Sequence, residues 1–166
     1  MSDLVLATVN ARWIHSNLGL RSLAANLGPL ADHATVVELA PGDDLETQLA
    51  QLLAPAPRVV GLGVYLWNVA RITELVTRLR QQAPAVRVVL GGPEVSFPDD
   101  APAVCDDADV VITGEGEGAL PGVAARLLEG ASVERWVAGG RPDLGDVRLP
   151  DRGYTAEDIA HRVIYV

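Results

Sequence analysis

Short apolar runs alternate along the chain with longer segments in which apolar residues recur every three or four positions. The short runs are rich in valine and have no polar face, which is typical of strands buried on both sides in a parallel sheet. Five such strands are predicted, at Leu4–Val9, Ala34–Leu39, Arg58–Val64, Arg87–Leu90 and Asp109–Thr113.

The segments between these strands have helical spacing. The clearest follows Asn68, which we expect to cap a helix whose apolar stripe contains Ile72, Val76 and Leu79. Three further helices are predicted, at Leu18–Leu27, from Asp43 or Asp44 to Leu53, and at Gly118–Leu128. Phe97–Asp107 is weakly patterned and predicts one short helix after Pro98.

Strands that alternate with helices of this length form βαβ units. The sequence therefore predicts an α/β fold: a flavodoxin-like (Rossmann-like), doubly wound, five-stranded parallel sheet of order 2-1-3-4-5, with helices on both faces. Ligands bind such sheets at the carboxyl ends of the strands. The loops expected there are Asn10–Asn17, Val64–Asn68, Gly91–Ser96 and Gly114–Glu117.

The pattern weakens after Gly130, so we expect a folded domain over residues 1–130 and a linker over residues 131–166. Val133–Val137 is a candidate for one more short strand. Thr155–Arg162 predicts a short helix that begins with a capping box of Thr155 and Asp158. The chain ends in an apolar run, 162–166, with no evident partner strand, which we interpret as a cut from a longer protein.

Composition narrows the function classes. The 166 residues carry 22 acidic and 13 basic side chains, a formal net charge of -9, which argues against binding to nucleic acid or to an anionic membrane. Cys105 is the single cysteine, so this chain can form neither an internal disulfide nor a cysteine-based metal cluster. No basic leader or long apolar run is present, and we expect a cytoplasmic protein.

The loops lack the common nucleotide-binding signatures. The loop Asn10–Asn17 is too bulky to hold a pyrophosphate, and no P-loop is present. A lone histidine such as His15 is more often a hydrogen-bonding residue than a metal ligand or general base. Glu115 and Glu117 are either catalytic carboxylates or acidic residues favoured at a helix start. Residue chemistry alone indicates a domain that binds a wide, flat, uncharged ligand, since Tyr65 and Trp67 fall at the predicted switch point.

Four segments carry a resemblance to a known family. Residues 10–20, 60–68, 89–96 and 110–117 resemble the N-terminal cobalamin-binding domain of cobalamin-dependent radical SAM enzymes. Gly-Gly-Pro at 91–93 and Gly-Glu-Gly-Glu at 114–117 are its most specific pieces, and the likeness covers roughly residues 1–130. Leu149-Pro150 and the following residues resemble the approach to a three-cysteine, cluster-binding motif, before which this chain stops.

The resemblance implies that the chain binds cobalamin and that its partner is the radical SAM domain of the same full-length protein. A 4Fe–4S cluster and S-adenosylmethionine are expected only in that missing part, so this chain is not expected to be catalytic alone. The D-x-H-x-x-G motif that supplies an axial histidine elsewhere is absent, since Trp13 precedes His15 by two residues and Leu18 follows it by three. The implied cofactor-binding residues are Asn10, Arg12, His15, Tyr65, Leu66, Trp67, Asn68, Gly91, Gly92, Pro93, Glu94, Gly114, Glu115, Gly116 and Glu117.

Two other functions remain open. The first is a flavodoxin-like docking or regulatory module that has lost its cofactor. The second is a small hydrolase that uses Glu115, Glu117 and His15, for which the sequence has little support.

Overall fold

The strands of the protein form one parallel sheet. The computed structural model describes residues 2–12, 14–143, 145–150 and 154–164. Within these residues the sheet has six strands in the order β2-β1-β3-β4-β5-β6, and every pairing is parallel. The strands are β1 (Leu4–Val9), β2 (Ala34–Leu39), β3 (Val59–Gly63), β4 (Arg87–Gly91), β5 (Val110–Thr113) and β6 (Trp136–Ala138).

The predicted α/β class and the order of the first five strands are confirmed, but the prediction of a five-stranded sheet is wrong. The sixth strand, β6, pairs with β5 from Val111↔Trp136 to Thr113↔Ala138. It contains only three residues, none of which is fully buried, so it lacks the long apolar run that identifies an inner strand. The predicted domain boundary at residue 130 stays a prediction.

Helices cover both faces of the sheet, so the sheet separates two hydrophobic cores. The helices are α1 (Leu18–Ala25), α2 (Leu45–Leu53), α3 (Val69–Gln82), α4 (Leu120–Leu128) and α5 (Ala156–His161). Side chains of α2 and α3 pack on one face of the sheet, and those of α1 and α4 pack on the other. None of the helices in the described residues is long and apolar enough to cross a membrane.

Three of the five helices in the described residues begin with a side-chain cap. Asn17, Asp44 and Thr155 each accept a hydrogen bond from a backbone amide in the first turn of α1, α2 and α5, and Asp158 completes the capping box. Asn68 stands immediately before α3, but its side chain does not cap the helix, and this prediction is wrong. Its amide group instead turns back toward the strands.

The weak segment before β5 forms two 3₁₀ turns, Pro98–Asp100 and Ala103–Asp107, rather than one short helix. Pro98 and Pro102 each remove a backbone donor and interrupt the hydrogen-bonding pattern that an α-helix would need.

The residues after β6 fold back along α1. Asn26 at the end of α1 donates from Nδ2 to the carbonyl of Arg148 and accepts from its amide, at 3.0 and 2.9 Å. Val163 forms an isolated parallel bridge with His15, so the terminal apolar run has a partner here. Tyr165 and Val166, predicted in the same run, lie outside the described residues, as does Trp13 of the loop after β1. We call residues 145–150 and 154–164 the C-terminal strap.

Gly92, which follows β4, has a backbone that other residues rarely adopt. Its φ is +110°, and a Cβ at this position would lie 2.5 Å from the carbonyl oxygen of Val64. The loop after β4 therefore passes so close to the loop after β3 that a side chain has no room.

We expect Gly92→Ala to lower the free energy of unfolding by at least about 2 kcal/mol, because it combines an unfavourable φ with a backbone clash. Urea denaturation measures the loss. Gly42→Ala is the matched control, since a Cβ there meets no atom within 4 Å. Equal stability of the two variants would contradict this assignment.

Candidate functional site

A cleft of ≈ 180 Å³ opens at the carboxyl edge of the sheet, on the face that α1 and α4 cover. Its floor consists of residues from β1, β3, β4 and β5, and its walls come from α1, from α4 and from the loops after β3, β4 and β5. The lining residues are Leu6, Gly19, Leu20, Leu23, Gly61, Leu62, Gly63, Tyr65, Val89, Leu90, Gly91, Gly92, Ile112, Gly114, Glu115, Gly116, Glu117 and Leu120.

Glycines on two central strands form part of the floor of this cleft, but of Gly61 and Gly91 only Gly91 leaves open space. Gly61 pairs with Leu6 on β1 and with Val89 on β4. A Cβ on Gly61 would lie 2.9 Å from Leu6 Cδ2, so the floor is already filled there by its neighbour. At Gly91 a Cβ would meet only the carbonyl oxygen of Ile112, 3.8 Å away, which leaves open space above it.

The mouth of the cleft lies between α1 and the loop after β5. Ser22 on α1 donates from Oγ to Glu117 Oε1 across it, at 2.8 Å. Leu23 also approaches this loop closely, since a Cβ on Gly116 would lie 2.9 Å from its Cδ2. Glu115 is exposed beside Glu117, so the mouth carries two carboxylates.

The glycine loops after β4 and β5 are tied together by Ser96. Its hydroxyl donates to the carbonyl of Gly92 at 2.9 Å and accepts from the amide of Gly114 at 3.1 Å. Gly114 has a φ of +74°, which allows the chain to turn sharply away from β5. These bonds hold the two glycine-containing loops next to each other at the cleft.

Residues 65–67 form an apolar surface beside the cleft, which we call the Tyr-Leu-Trp platform. The rings of Tyr65 and Trp67 stack with centroids 4.6 Å apart and planes 9° from parallel. The indole of Trp67 donates to the carbonyl of Val9 at 3.2 Å, which fixes its orientation. Leu66 is 77% exposed and Trp67 is 55% exposed, although both are apolar. Adjacent exposed apolar groups are typical of a contact surface.

Asn68 supports this platform from below. Its side chain is buried; Oδ1 accepts from the amide of Tyr65 at 2.8 Å, and Nδ2 donates to Thr8 Oγ1 and to the carbonyls of Val9 and Gly63 at 2.9–3.2 Å. A helix cap would need Oδ1, which here accepts from the Tyr65 amide, and would turn Nδ2 away from the strand ends, so the side chain serves the platform rather than α3.

A second hollow lies on the other side of the platform, where the loop after β1 meets Tyr65 and Trp67. Asn10 is buried at its base and donates from Nδ2 to the carbonyl of His15 at 3.0 Å. Arg162 of the strap donates to the same carbonyl at 2.7 Å. The backbone at residue 15 is therefore held from two sides.

A largely buried network of ion pairs joins the strap to this part of the molecule; its members are Arg21, Glu38, Asp158 and Arg162. Between 7% and 10% of each of these four side chains is exposed. Arg21 lies 3.3 Å from both carboxylates, Arg162 lies 3.1 Å from Asp158, and Arg162 also pairs with Glu38. Buried ions of this kind depend on all their partners, because loss of one leaves an uncompensated charge.

The pKa of Asp158 is lowered by this setting. Burial opposes ionisation, but hydrogen bonds from the Thr155 amide and hydroxyl, the charge of Arg21 and a hydrogen bond from Arg162 outweigh it. A lowered pKa in the folded state means that the carboxylate stabilises the strap at ordinary pH. This contribution is complete above the ordinary aspartate pKa of about 3.9 and is lost as the pH falls further, through the lowered folded value.

The structure brings most of the predicted site residues to one edge. Seven line the cleft, namely Tyr65, Gly91, Gly92, Gly114, Glu115, Gly116 and Glu117. Asn10, His15 and Trp67 line the second hollow with Tyr65. Arg12, Leu66, Pro93 and Glu94 line neither space, and Asn68 is buried beneath the platform. Direct contact of any of them with a ligand stays a prediction.

Sequence reasoning missed the interior of the cleft. The missed lining residues are Leu6, Gly19, Leu20, Leu23, Gly61, Leu62, Gly63, Val89, Leu90, Ile112 and Leu120. The glycines inside β3 were a usable signal, because a glycine within a strand often marks a place where a ligand approaches closely. The leucines carried no such signal, since they look like ordinary core residues.

Across residues 2–12, 14–143, 145–150 and 154–164, no three His, Cys, Asp or Glu side chains are grouped as metal ligands.

Comparisons with known proteins agree with this geometry. Residues 4–124 match the sequence profile described as the B12 binding domain. A comparison with curated proteins gives no significant match.

Three solved structures share the fold. A radical S-adenosylmethionine methyltransferase, TsrM, from Kitasatospora setae, solved with cobalamin and a 4Fe-4S cluster bound, is 25% identical with a TM-score of 0.57; the match covers 79% of this chain and 25% of that one. A cobalamin-binding protein from Desulfitobacterium hafniense DCB-2 is 20% identical with a TM-score of 0.55; the match covers 76% of this chain and 58% of that one. The cobalamin-dependent S-adenosylmethionine radical enzyme OxsB, solved with aqua-cobalamin bound, is 16% identical with a TM-score of 0.60. The match covers 79% of this chain and 19% of that one. The chain thus spans about a quarter of TsrM and a fifth of OxsB.

We expect Asp158→Asn to release the strap, because Arg21 and Arg162 would share the single carboxylate of Glu38. Hydrogen exchange at the amides of Ser16 and Val163, which bond across this junction, should become at least roughly tenfold faster.

The matched control is Asp106→Asn, since Asp106 is 85% exposed and lies 3.7 Å from Arg135, where an ion pair contributes little. If both substitutions leave exchange at residues 16 and 163 unchanged, the ion network does not hold the strap.

Proposed function

Because the chain belongs to the B12 binding domain family, we propose that it binds cobalamin at the carboxyl edge of its sheet. The corrin ring would lie against the Tyr-Leu-Trp platform and the glycine loops, and the nucleotide tail would enter the cleft between α1 and α4. The observation that carries the proposal is the cleft itself, an apolar space at the carboxyl edge of the sheet that stays open above Gly91.

The residues present fit such a ligand. A corrin is a broad disc, and a surface that meets it must be free of projecting side chains, as the backbone of Gly92 and Gly114 is. Leu66 and Trp67 offer exposed apolar area for the face of the disc. The rim of the disc carries amide groups that donate hydrogen bonds, and the carboxylates of Glu115 and Glu117 at the mouth are acceptors for them.

The cleft has a size suited to the tail. An apolar cavity of about 150 Å³ in another protein stays dry and takes up benzene. The cleft here, at ≈ 180 Å³, has room for a flat ring system somewhat larger than benzene. Burial of such a ring against Leu23 and Leu120 would supply hydrophobic binding energy without a charged partner.

When bound, cobalamin would supply a cobalt centre that carries a methyl group or takes part in radical chemistry. This chain's own residues would hold and orient the ring and would keep water from the face that meets the Tyr-Leu-Trp platform. The Tyr65–Trp67 stack and the exposed Leu66 are placed for that role, and the hydrogen bonds of Asn68 keep them in position.

We further propose that the chain is the cobalamin-binding part of a radical SAM enzyme. Experiments on the full-length protein would test this proposal. The similarity to TsrM at 25% identity supports this, and the chain spans a quarter of that protein. The 4Fe–4S cluster, S-adenosylmethionine and the reaction itself would belong to a radical SAM domain elsewhere in the same protein, and substrate specificity would reside there.

Cobalamin retention tests the central proposal. After incubation with hydroxocobalamin and desalting, we expect the protein to keep corrin absorption at near-stoichiometric amounts. Gly91→Leu should weaken binding at least roughly tenfold, because its side chain would fill the cleft without a backbone clash. Gly122→Leu adds the same group on an exposed turn of α4, where a Cβ meets nothing within 4 Å, and should bind normally.

Thermal unfolding of both unliganded variants shows that each remains folded. A colourless wild-type protein, both alone and in the full-length chain, would reject cobalamin binding and favour the docking or regulatory module. Equal retention by Gly91→Leu and Gly122→Leu would place the ligand outside the cleft.

A second substitution tests the platform. We expect Leu66→Ser to weaken cobalamin binding roughly tenfold, because Leu66 would lose the apolar burial that it gains under the ring. Leu149→Ser is the matched control, since Leu149 is 78% exposed and Leu66 is 77% exposed. Titration followed by visible absorbance gives both dissociation constants, and identical values would remove the platform from the site.

A further inference from the structure

The interior of the cleft offers no hydrogen-bonding side chain. Its floor and walls below the mouth are formed by Leu6, Val89 and Ile112 of the strands, Leu20 and Leu23 of α1, and Leu120 of α4. The polar lining groups, Tyr65, Glu115 and Glu117, come from the loops at the carboxyl edge. The cleft is therefore polar at its mouth and apolar at depth.

The backbone of the floor is also occupied. Leu6 Cδ2 packs over Gly61, where a Cβ would lie 2.9 Å from it. The peptide groups of Gly61 are themselves paired, because β3 pairs with β1 at Leu6↔Gly61 and with β4 at Gly61↔Val89. Parallel pairing on both sides uses the amides and carbonyls of an inner strand. A ring that enters the cleft would meet glycine carbon and leucine methyl groups, with no partner for a polar edge.

Building on the proposed function, we infer that the cleft selects among cobalamin and its natural analogues by the base at the end of their nucleotide. These cobamides share the corrin and differ in that base, which is a dimethylbenzimidazole, a phenol or a purine such as adenine. A cresol presents only carbon and methyl groups to the cleft, and a dimethylbenzimidazole adds a single acceptor nitrogen to them. Adenine presents an exocyclic amine and ring nitrogens that would lose their hydrogen bonds to water.

We expect a substantial difference in affinity between the two bases. The cleft interior has no hydrogen-bonding side chain, so no rotation of the adenine ring would find partners for its polar atoms. Each unsatisfied polar group that becomes buried lowers affinity by roughly ten- to hundredfold. By comparison, the two methyl groups of dimethylbenzimidazole should matter less, since an apolar cavity discriminates weakly between ligands that differ by a methylene.

Dissociation constants for four corrinoids test the inference: cobalamin, the cobamide with cresol, the cobamide with adenine, and cobinamide, which has no nucleotide. We expect cobalamin and the cresol form to bind within a few fold of each other. The adenine form should bind at least tenfold more weakly than cobalamin and about as weakly as cobinamide. Equilibrium dialysis with visible absorbance measures all four on the 166-residue chain.

A variant should change this ranking. Leu23 lies half-buried on α1 and lines the cleft, so Leu23→Asn would add a donor and an acceptor inside it. We expect the ratio of adenine-form to cobalamin affinity to rise at least fivefold. Leu45→Asn is the matched control, because Leu45 is half-buried on α2 against the opposite face of the sheet and should leave the ratio unchanged.

The outcomes separate this inference from the proposed function. If no corrinoid binds, the proposed function itself fails. If cobinamide binds as tightly as cobalamin, cobalamin binding stands but the nucleotide does not enter the cleft, and the inference is rejected. If the adenine form binds as tightly as cobalamin while cobinamide is weak, the nucleotide is held without selection by its base, which also rejects the inference.

Discussion

The structure depends on one packing constraint, which is that the carboxyl half of β3 and the end of β4 have no side chains on the face toward α1 and α4. Protein interiors are normally filled to crystal-like density, and an unfilled space loses contact energy. Gly91 leaves such a space open, whereas Leu6 and Tyr65 pack into the positions that side chains at Gly61 and Gly63 would take. The parallel pairing of β3 with both of its neighbours fixes the backbone beneath the cleft. The cleft is thus a property of the rigid sheet rather than of a mobile loop.

Hydrogen bonds and ion pairs connect the walls of the cleft to each other and to the strap. The Ser22–Glu117 hydrogen bond joins α1 to the loop after β5, and Ser96 joins the two glycine loops. On the outer side of α1, the strap adds the pair of hydrogen bonds at Asn26 and the buried ion network at Arg21. A region that looks like a linker in the sequence therefore contributes to the position of a wall of the site.

Features encoded by neighbouring residues could be predicted from the sequence, and features that depend on contacts between distant segments could not. Strands β1 to β5 were predicted because each is a short, largely apolar run, and their order was predicted as the simplest arrangement of five strands in βαβ units. Val133–Val137 was only a candidate strand, because its apolar pattern is short; the structure places β6 at Trp136–Ala138, where it pairs with β5. Asn68 was predicted as a cap from its place before α3, but buried strand-end carbonyls of Val9 and Gly63 compete for its amide.

The sequence by itself determined the α/β class, the four loops at the carboxyl edge and the glycines at 91, 92, 114 and 116, because strand periodicity and glycine's backbone freedom are written locally. Only the tertiary structure decided that Leu6, Leu23 and Leu120, from three separated elements, enclose one apolar cleft. It also decided that the last described residues close over the loop after β1. The physical reason is that a cavity and a buried ion network exist only between elements, and no single stretch of chain records which distant side chains it will meet.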